Sequence, residues 1–173
     1  MRAHDIHMGA SIDEKNKVIL LTGCIDRNEH SIVLRIKVPS LGQWTIIKAE
    51  VNITNEPWTG WQINIGKGST VATTDGVPDL LMSRHFPKAQ FIPEHNAIAF
   101  TGGEPVRPGD AILKYTKLDV KRHEIVLAHN RSVPTITEPI LDGTFGKNFP
   151  NIEVDVPVTL FDSTAETVGI LSK

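Results

Sequence analysis

The stretch Ser-Ile-Val-Leu-Arg-Ile-Lys-Val at residues 31–38 decides the fold class, because its residues alternate between apolar and polar. The even-numbered positions are all aliphatic, whereas Arg35 and Lys37 fall on the opposite side. Successive side chains of a β-strand point to opposite faces of the sheet. This period of two therefore indicates a strand that is buried on one face.

The same alternation recurs further along the chain. In residues 45–53 the odd-numbered positions are mostly apolar, and Lys48, Glu50 and Asn52 form the polar side. We therefore expect the odd positions in the core and these three side chains in solvent. Further strands are predicted at residues 61–65, 111–118, 124–128 and 152–160. Pro157 in the last run cannot donate to a ladder, which predicts an edge strand or a bulge.

Turn signals separate these runs. Eleven prolines and thirteen glycines are spread along the chain instead of being gathered in a linker. About six to nine short strands separated in this way predict an all-β fold, an antiparallel, jelly-roll-like β-sandwich with little helix. The best helical candidate is residues 78–85, with Asp75 as a cap and Pro78 as an early helical position.

The length of 173 residues fits a single domain with a sizeable core. Residues 1–16 are polar and weakly patterned, so we expect an N-terminal arm or a loose first strand, followed by one β-sandwich domain over residues 17–173. Residues 130–150 form a long irregular segment, and such segments are usually functional or held by a partner. It is interpreted either as an arm that crosses onto a neighbouring subunit or as a surface loop with a short strand at 132–137.

Composition argues against two classes of partner. The formal net charge is −2, so there is no global basic field of the kind that attracts nucleic acid. Apolar runs such as Val18–Leu21 are far shorter than the ~20 residues of a spanning helix, and residues 1–7 are too polar for a secretory signal. We therefore expect no nucleic-acid partner and no membrane partner.

Cys24 is the sole cysteine, so no internal disulfide is possible, which is typical of folding in a reducing compartment. Because it ends an apolar strand and no base can be assigned to it, we expect a buried, inert thiol.

The motifs that mark catalysis or metal binding do not occur in the sequence. The seven histidines include no His-x-His pair, and no Gly-x-Ser-x-Gly or His-Glu-x-x-His motif is present. The segment Gly66–Thr70 resembles a phosphate loop, but Gly60 lies one residue too far upstream, so a turn that leaves a strand is predicted. We expect no catalytic, cofactor-binding or metal-binding residues, no cofactor and no enzymatic activity.

Two residue groups remain as candidates for recognition. Trp61 shares its face with neighbouring isoleucines, which favours core packing. Trp58 follows Pro57 in a turn, so we expect it at an exposed loop tip, as an interface residue or a platform for a sugar ring. A modest basic group around Tyr115 is interpreted as the polar face of a strand in preference to a nucleic-acid patch; it comprises Lys114, Lys117, Lys121, Arg122 and His123.

Between Ile46 and Tyr115 the chain contains a strand, the glycine-ended segment 61–68, a polar stretch over 75–81 and the Pro-Gly-Asp turn that opens segment 108–115. This order resembles the jelly-roll domains of tailed-phage virion proteins, both capsid-decorating and tail-associated. The resemblance covers about 70 residues, and the long stretch after residue 121 departs from the compact version of those domains. It implies a symmetric structural subunit, with a trimer favoured.

We therefore expect a non-enzymatic virion structural protein that is made in the host cytoplasm and acts through subunit–subunit contacts. Its partners would be its own copies and other virion proteins such as the major capsid protein. The alternative is a carbohydrate-binding or receptor-binding β-sandwich module that uses Trp58.

Overall fold

The computed structural model describes residues 6–26, 31–130 and 151–161. These residues form fifteen strands and one short 3-10 helix, Pro93–His95, so the expected all-β class is confirmed. The strands are β1 (Ile6–Asp13), β2 (Val18–Ile25), β3 (Ser31–Lys37), β4 (Gly42–Asn52), β5 (Trp61–Ile65), β6 (Ser69–Val71), β7 (Thr73–Thr74), β8 (Val77–Pro78), β9 (Leu81–Ser83), β10 (Lys88–Ile92), β11 (Ala97–Thr101), β12 (Ala111–Val120), β13 (Glu124–Asn130), β14 (Asn151–Asp155) and β15 (Val158–Phe161).

Two sheets contain most of the strands. Sheet A has seven, in the order β15-β1-β2-β4-β12-β6, with β9 also paired to β12. Sheet B has six, in the order β10-β11-β5-β13-β3-β14, and β7 and β8 form a separate hairpin. The expectation of antiparallel pairing holds for most neighbours but not for β1 and β15, β2 and β4, or β3 and β14, which are parallel. The fold is thus a mixed β-sandwich.

The core lies between the inner faces of the two sheets, and buried apolar side chains from both sheets form one cluster. On β3, Ile32 and Leu34 are fully buried, which confirms the apolar face predicted for residues 31–38. Trp61 is also fully buried, and Ile63 and Ile65 on the same face of β5 are nearly so. The core position predicted for Trp61 is therefore confirmed.

The last predicted strand is divided between the two sheets. β14 pairs with β3 at one edge of sheet B, and β15 pairs with β1 at one edge of sheet A. Pro157 lies in the crossing between them, where its missing N–H removes nothing from either ladder. The prediction of an edge strand is confirmed, although one strand was expected and two are found.

The prediction of a helix over residues 78–85 is wrong. Asp75 and Gly76 have positive φ angles, 53° and 80°, and form the turn of the hairpin β7–β8. Asp-Gly is a preferred pair for such two-residue turns. β9 then pairs with β12, placing Met82 opposite Tyr115, so strand pairing prevails over the capping signal. Among the described residues, no helix is long and apolar enough to cross a membrane.

The described part of the N-terminal segment contains the paired strand β1 over residues 6–13, and these residues form neither an arm nor a loose strand. Residues 6–13 alternate in burial, with Met8 and Ile12 facing the interior. β1 pairs along its whole length with β2 and over its second half with β15. The irregular segment 130–150 and its expected short strand at 132–137 lie, apart from Asn130 at the end of β13, outside the described residues.

Candidate functional site

Sheet A has an unusual distribution of charge at its centre, because charged residues face inward on β4 and β12. On β4 the buried positions include Lys48, Glu50 and Asn52, each no more than 1% exposed. Lys114 on β12 is 2% exposed and faces the same way. The expectation that Lys48, Glu50 and Asn52 face solvent is therefore wrong. Trp44 and Ile46 share their parity and are buried, and these two large side chains determine which face of β4 points inward.

Glu50 is the centre of this group. Lys114 Nζ lies 2.7 Å from its Oε1, and Lys48 Nζ lies 3.2 Å from its Oε2. His129 approaches from β13 of the opposite sheet, with Nδ1 3.5 Å from Oε2. We call these four residues the charge cluster. Because their side chains are 0–2% exposed, the cluster is enclosed between the two sheets.

Trp61 of sheet B covers the charge cluster on one side. Lys114 Nζ lies 2.9 Å from the centroid of the indole, and Lys48 Nζ lies 5.4 Å from it. The His129 ring is 4.8 Å from the same indole, centroid to centroid. A cation over an aromatic face is attracted to it, and more strongly when water is excluded. Through Trp61 the charged side chains of sheet A are thus in contact with the core residues of sheet B.

The ionisation of Glu50 follows from two opposed effects. Burial raises the pKa of the carboxyl group, because the charged form is poorly solvated in the core. The positive charges of Lys114 and Lys48, together with their hydrogen bonds to the carboxylate, lower it by more. The net result is a pKa below the ordinary value of 4.5. Glu50 is therefore a carboxylate at neutral pH.

The enclosed geometry suits a structural role. A buried ion pair adds little net stability compared with a well-packed apolar core, but breaking it is costly, because an uncompensated charge is left in the interior. The charge cluster therefore favours the one alignment of the sheets in which Glu50 meets Lys114, Lys48 and His129.

The outward face of sheet A carries a row of apolar side chains behind these buried charges. In one row across the sheet, Leu20, Ile47, Tyr115 and Met82 are neighbours on β2, β4, β12 and β9. Leu20 is 38% exposed and Met82 47% exposed, whereas Ile47 and Tyr115 are half-buried. The adjoining rows add further apolar positions. We call the whole set the outer apolar face; it comprises Val18, Leu20, Ile47, Ala49, Val51, Leu113, Tyr115 and Met82.

Trp58 does not lie at an exposed loop tip; its side chain is 0% exposed. Its backbone N–H donates to the Val106 carbonyl at 2.9 Å, and its indole packs edge-on against Trp61 at a centroid distance of 5.3 Å. The backbone pairing with Val106 holds the turn that contains Trp58 in the core. A sugar ring or another subunit therefore has no access to Trp58, and the expectation that it forms a surface contact is wrong.

The expected basic group around Tyr115 is divided by the pleat of β12. Lys114 points into the core, whereas Lys117 lies on the outer side with Tyr115, and Lys121 and Arg122 are exposed beyond the strand end. Lys114 therefore does not share a surface with the other basic residues of the group. Among the described residues, no group of three or more histidine, cysteine, aspartate or glutamate side chains is placed to hold a metal ion.

Cys24 is partly exposed on the outward side of β2, so the expectation of a buried thiol is wrong.

Asn52, which fits a glycosylation pattern, is buried. Its side-chain amide donates to the Glu56 and Val106 carbonyls at 2.8 and 2.9 Å. The turn predicted after β5 is confirmed, with Gly68 at a φ of 99°. Glu153 and Asp155 are exposed on β14, as the alternation predicts.

A family model described as a family of unknown function, DUF6423, matches residues 8–161. No curated protein and no solved structure matches the chain. The matched range spans both the charge cluster and the outer apolar face, so these two features lie within the segment that defines the family.

Proposed function

This chain belongs to DUF6423, a family of unknown function, and we propose that it is a non-enzymatic structural subunit that assembles through the outer apolar face. Its partners are its own copies and other proteins of the same particle. We propose a virion as that particle, with the subunit in a capsid-decorating or tail-associated position. The subunit is made in the host cytoplasm and incorporated into the particle there.

The outer apolar face carries this proposal. A sheet with one solvated face normally presents polar side chains there. Here the row Leu20, Ile47, Tyr115 and Met82 contains no charged side chain, while charged side chains occupy the interior of β4 and β12. Contiguous exposed apolar surface marks interaction sites, and Tyr and Met are enriched in them.

The virion setting rests on different support, namely the resemblance of residues 46–115 to tailed-phage jelly-roll proteins. A sandwich suits that role, because its short edges and exposed faces permit many weak contacts that add up around a symmetry axis. The resemblance favours a trimer. Detection of the chain by mass spectrometry in purified particles, from cells that carry its gene, tests this part of the proposal.

Light scattering of the purified chain tests assembly. We expect a species larger than a monomer at high micromolar concentration. Leu20→Lys should weaken association at least tenfold, because a lysine charge would be desolvated at the centre of the contact. Val77→Lys is the matched control, since Val77 is 64% exposed on β8, outside sheet A. A monomeric wild type at these concentrations, with no binding to particles, would refute the proposal.

A further inference from the structure

We propose that the occupant of the outer apolar face is a second copy of this chain, packed face to face about a two-fold axis. The axis lies in the plane of the contact, parallel to the strands and between β2 and β4. This inference rests on the proposed function, adds a partner and a geometry to it, and gives the outer apolar face a two-fold contact where the resemblance favours a trimer. Under this symmetry β1 of one copy faces β12 of the other, and β2 faces β4.

The register within sheet A defines which residues would meet. Across β1, β2, β4 and β12 the outward-facing residues form three consecutive rows. The rows are Asp13-Val18-Thr45-Lys117, Ser11-Leu20-Ile47-Tyr115 and Gly9-Thr22-Ala49-Leu113. Because the axis runs along the strands, each row faces the same row of the second copy, in the reverse order.

The sizes of the side chains at the two ends of each row are complementary under this operation. β1 contributes Gly9 and Ser11, which are small, and β12 contributes Leu113 and Tyr115, which are large. A Cβ added to Gly9 would meet nothing within 4 Å, so the surface is recessed there. The two-fold operation places Leu113 over Gly9 and Tyr115 over Ser11, with each recess opposite a projection.

The charges in the first of these rows are complementary in the same way. Asp13 on β1 and Lys117 on β12 lie in the same row, and both are partly exposed; beyond Asp13 the row continues to Phe161 on β15. The two-fold operation brings Asp13 of each copy to Lys117 of the other, which gives two equivalent ion pairs. Translation of one sheet past the other by one row would break both pairs. Complementary charges across an interface fix register and speed association.

The size of the contact indicates a reversible dimer. Four strands about 4.8 Å apart and three rows over five residues at about 3.3 Å per residue give a flat footprint of roughly 15–19 Å by 13–17 Å. Counted on both copies, this is below the roughly 1,200 Å² of stable specific interfaces and is the size of a weak, transient contact. We therefore expect exchange between monomer and dimer at micromolar concentration, with multiple copies on a particle adding to its strength.

Charge reversal tests the geometry by analytical ultracentrifugation. Asp13→Lys and Lys117→Glu should each weaken self-association at least tenfold, because each places like charges opposite one another. An equimolar mixture of the two variants should form a heterodimer about as tight as the wild type. In that heterodimer the two substituted side chains meet with opposite charges, and the native Lys117 of one variant meets the native Asp13 of the other, so both contacts are attractive.

Asp13 also accepts hydrogen bonds from Asn16 in the turn after β1, so Asp13→Lys could disturb the fold. Asp13→Asn removes the charge and retains an acceptor for the Asn16 backbone N–H, although the Asn16 side-chain amide loses its acceptor. It should weaken self-association by a smaller factor. The circular dichroism spectrum and thermal midpoint of every variant show whether it is folded.

The results separate this inference from the proposed function. A dimeric wild type with rescue in the mixture supports both. An oligomeric wild type in which folded charge variants associate normally, or in which a trimer persists, overturns the two-fold contact and leaves the structural role intact. A wild type that neither self-associates nor binds particles overturns both.

Discussion

Replacing Glu50 with glutamine changes the charge cluster with little change in volume. In the native chain Oε1 faces Lys114 Nζ at 2.7 Å, and Oε2 faces Lys48 Nζ at 3.2 Å. A glutamine amide presents one oxygen and one N–H₂ group, so one of the two lysines would meet a donor. The single negative charge that faces both cations would also be lost.

The expected loss of stability is large, because removal of one partner from a buried ion pair costs about 3–5 kcal/mol. For a chain of this length, 1 kcal/mol corresponds to roughly 2–4 °C, so the thermal midpoint of E50Q should fall by about 6–20 °C. At a urea dependence of about 2 kcal/mol/M, a loss of about 4 kcal/mol moves the urea midpoint by about 2 M. Urea titration followed by tryptophan fluorescence measures this, because all three tryptophans are buried in the folded state.

Glu153 provides the matched control for the same chemical change. It pairs with Arg35 at 2.8 Å, but its side chain is 59% exposed on β14. Exposed pairs contribute about 0–1 kcal/mol, so E153Q should be close to the wild type. If E50Q and E153Q lost the same small amount, water would have access to Glu50, and the argument for an enclosed charge cluster would fail.

Three further predictions concern the same sheet. Burial raises the pKa of Glu50, but Lys114 and Lys48 lower it by more, so the pKa is lower in the folded state than in the unfolded state. The carboxylate therefore stabilises the fold fully above about pH 4.5, and this stabilisation is lost as the pH falls through the folded-state pKa. The difference in unfolding free energy between wild type and E50Q should shrink on acidification, and a gap that stays constant from about pH 7 to about pH 3 would contradict this. The triple variant K48M/E50M/K114M should recover much of the stability lost in E50Q, because no lysine charge remains without its carboxylate; equal urea midpoints for the two would refute that reasoning. Gly23→Ala should lower the free energy of unfolding by roughly 1–3 kcal/mol, because its Cβ would collide with a backbone carbonyl of β1. Gly9→Ala has open space and should lower it less. Thermal unfolding of the two variants measures the difference, and equal losses of stability would contradict the close approach of β1 and β2.

Period two predicts the strands well, because alternation is a local property that each strand carries in its own residues. It does not predict which side of β4 faces inward. Lys48 and Glu50 are stabilised inside by Lys114 and His129, which lie on other strands and are distant in the sequence. A single strand cannot show that its charges have buried partners. The local signal that could have found the inversion is that Trp44 and Ile46 share the parity of Lys48.

The candidate site cannot be predicted from the sequence either, because its residues come from several strands. Leu20, Ile47, Tyr115 and Met82 form a row only after four strands are placed side by side, and two of those strands pair across long sequence distances. Pro57 predicts a turn, and with it a surface position for Trp58. The pairing with Val106 that buries Trp58 also joins distant segments. Such contacts depend on topology, which the periodicity of one segment does not specify.

The division of the C-terminal strands between both sheets has a consequence for synthesis on the ribosome. β1 is made before every other described strand, yet its partner β15 is the last of them to be made, and β14 completes the other sheet just before it. Pairing between such distant segments makes folding slow. Throughout elongation the edge of β1 would remain open to other chains. The fold therefore closes only after translation has passed residue 161, and nascent chains on one polysome would be exposed to mispairing until then.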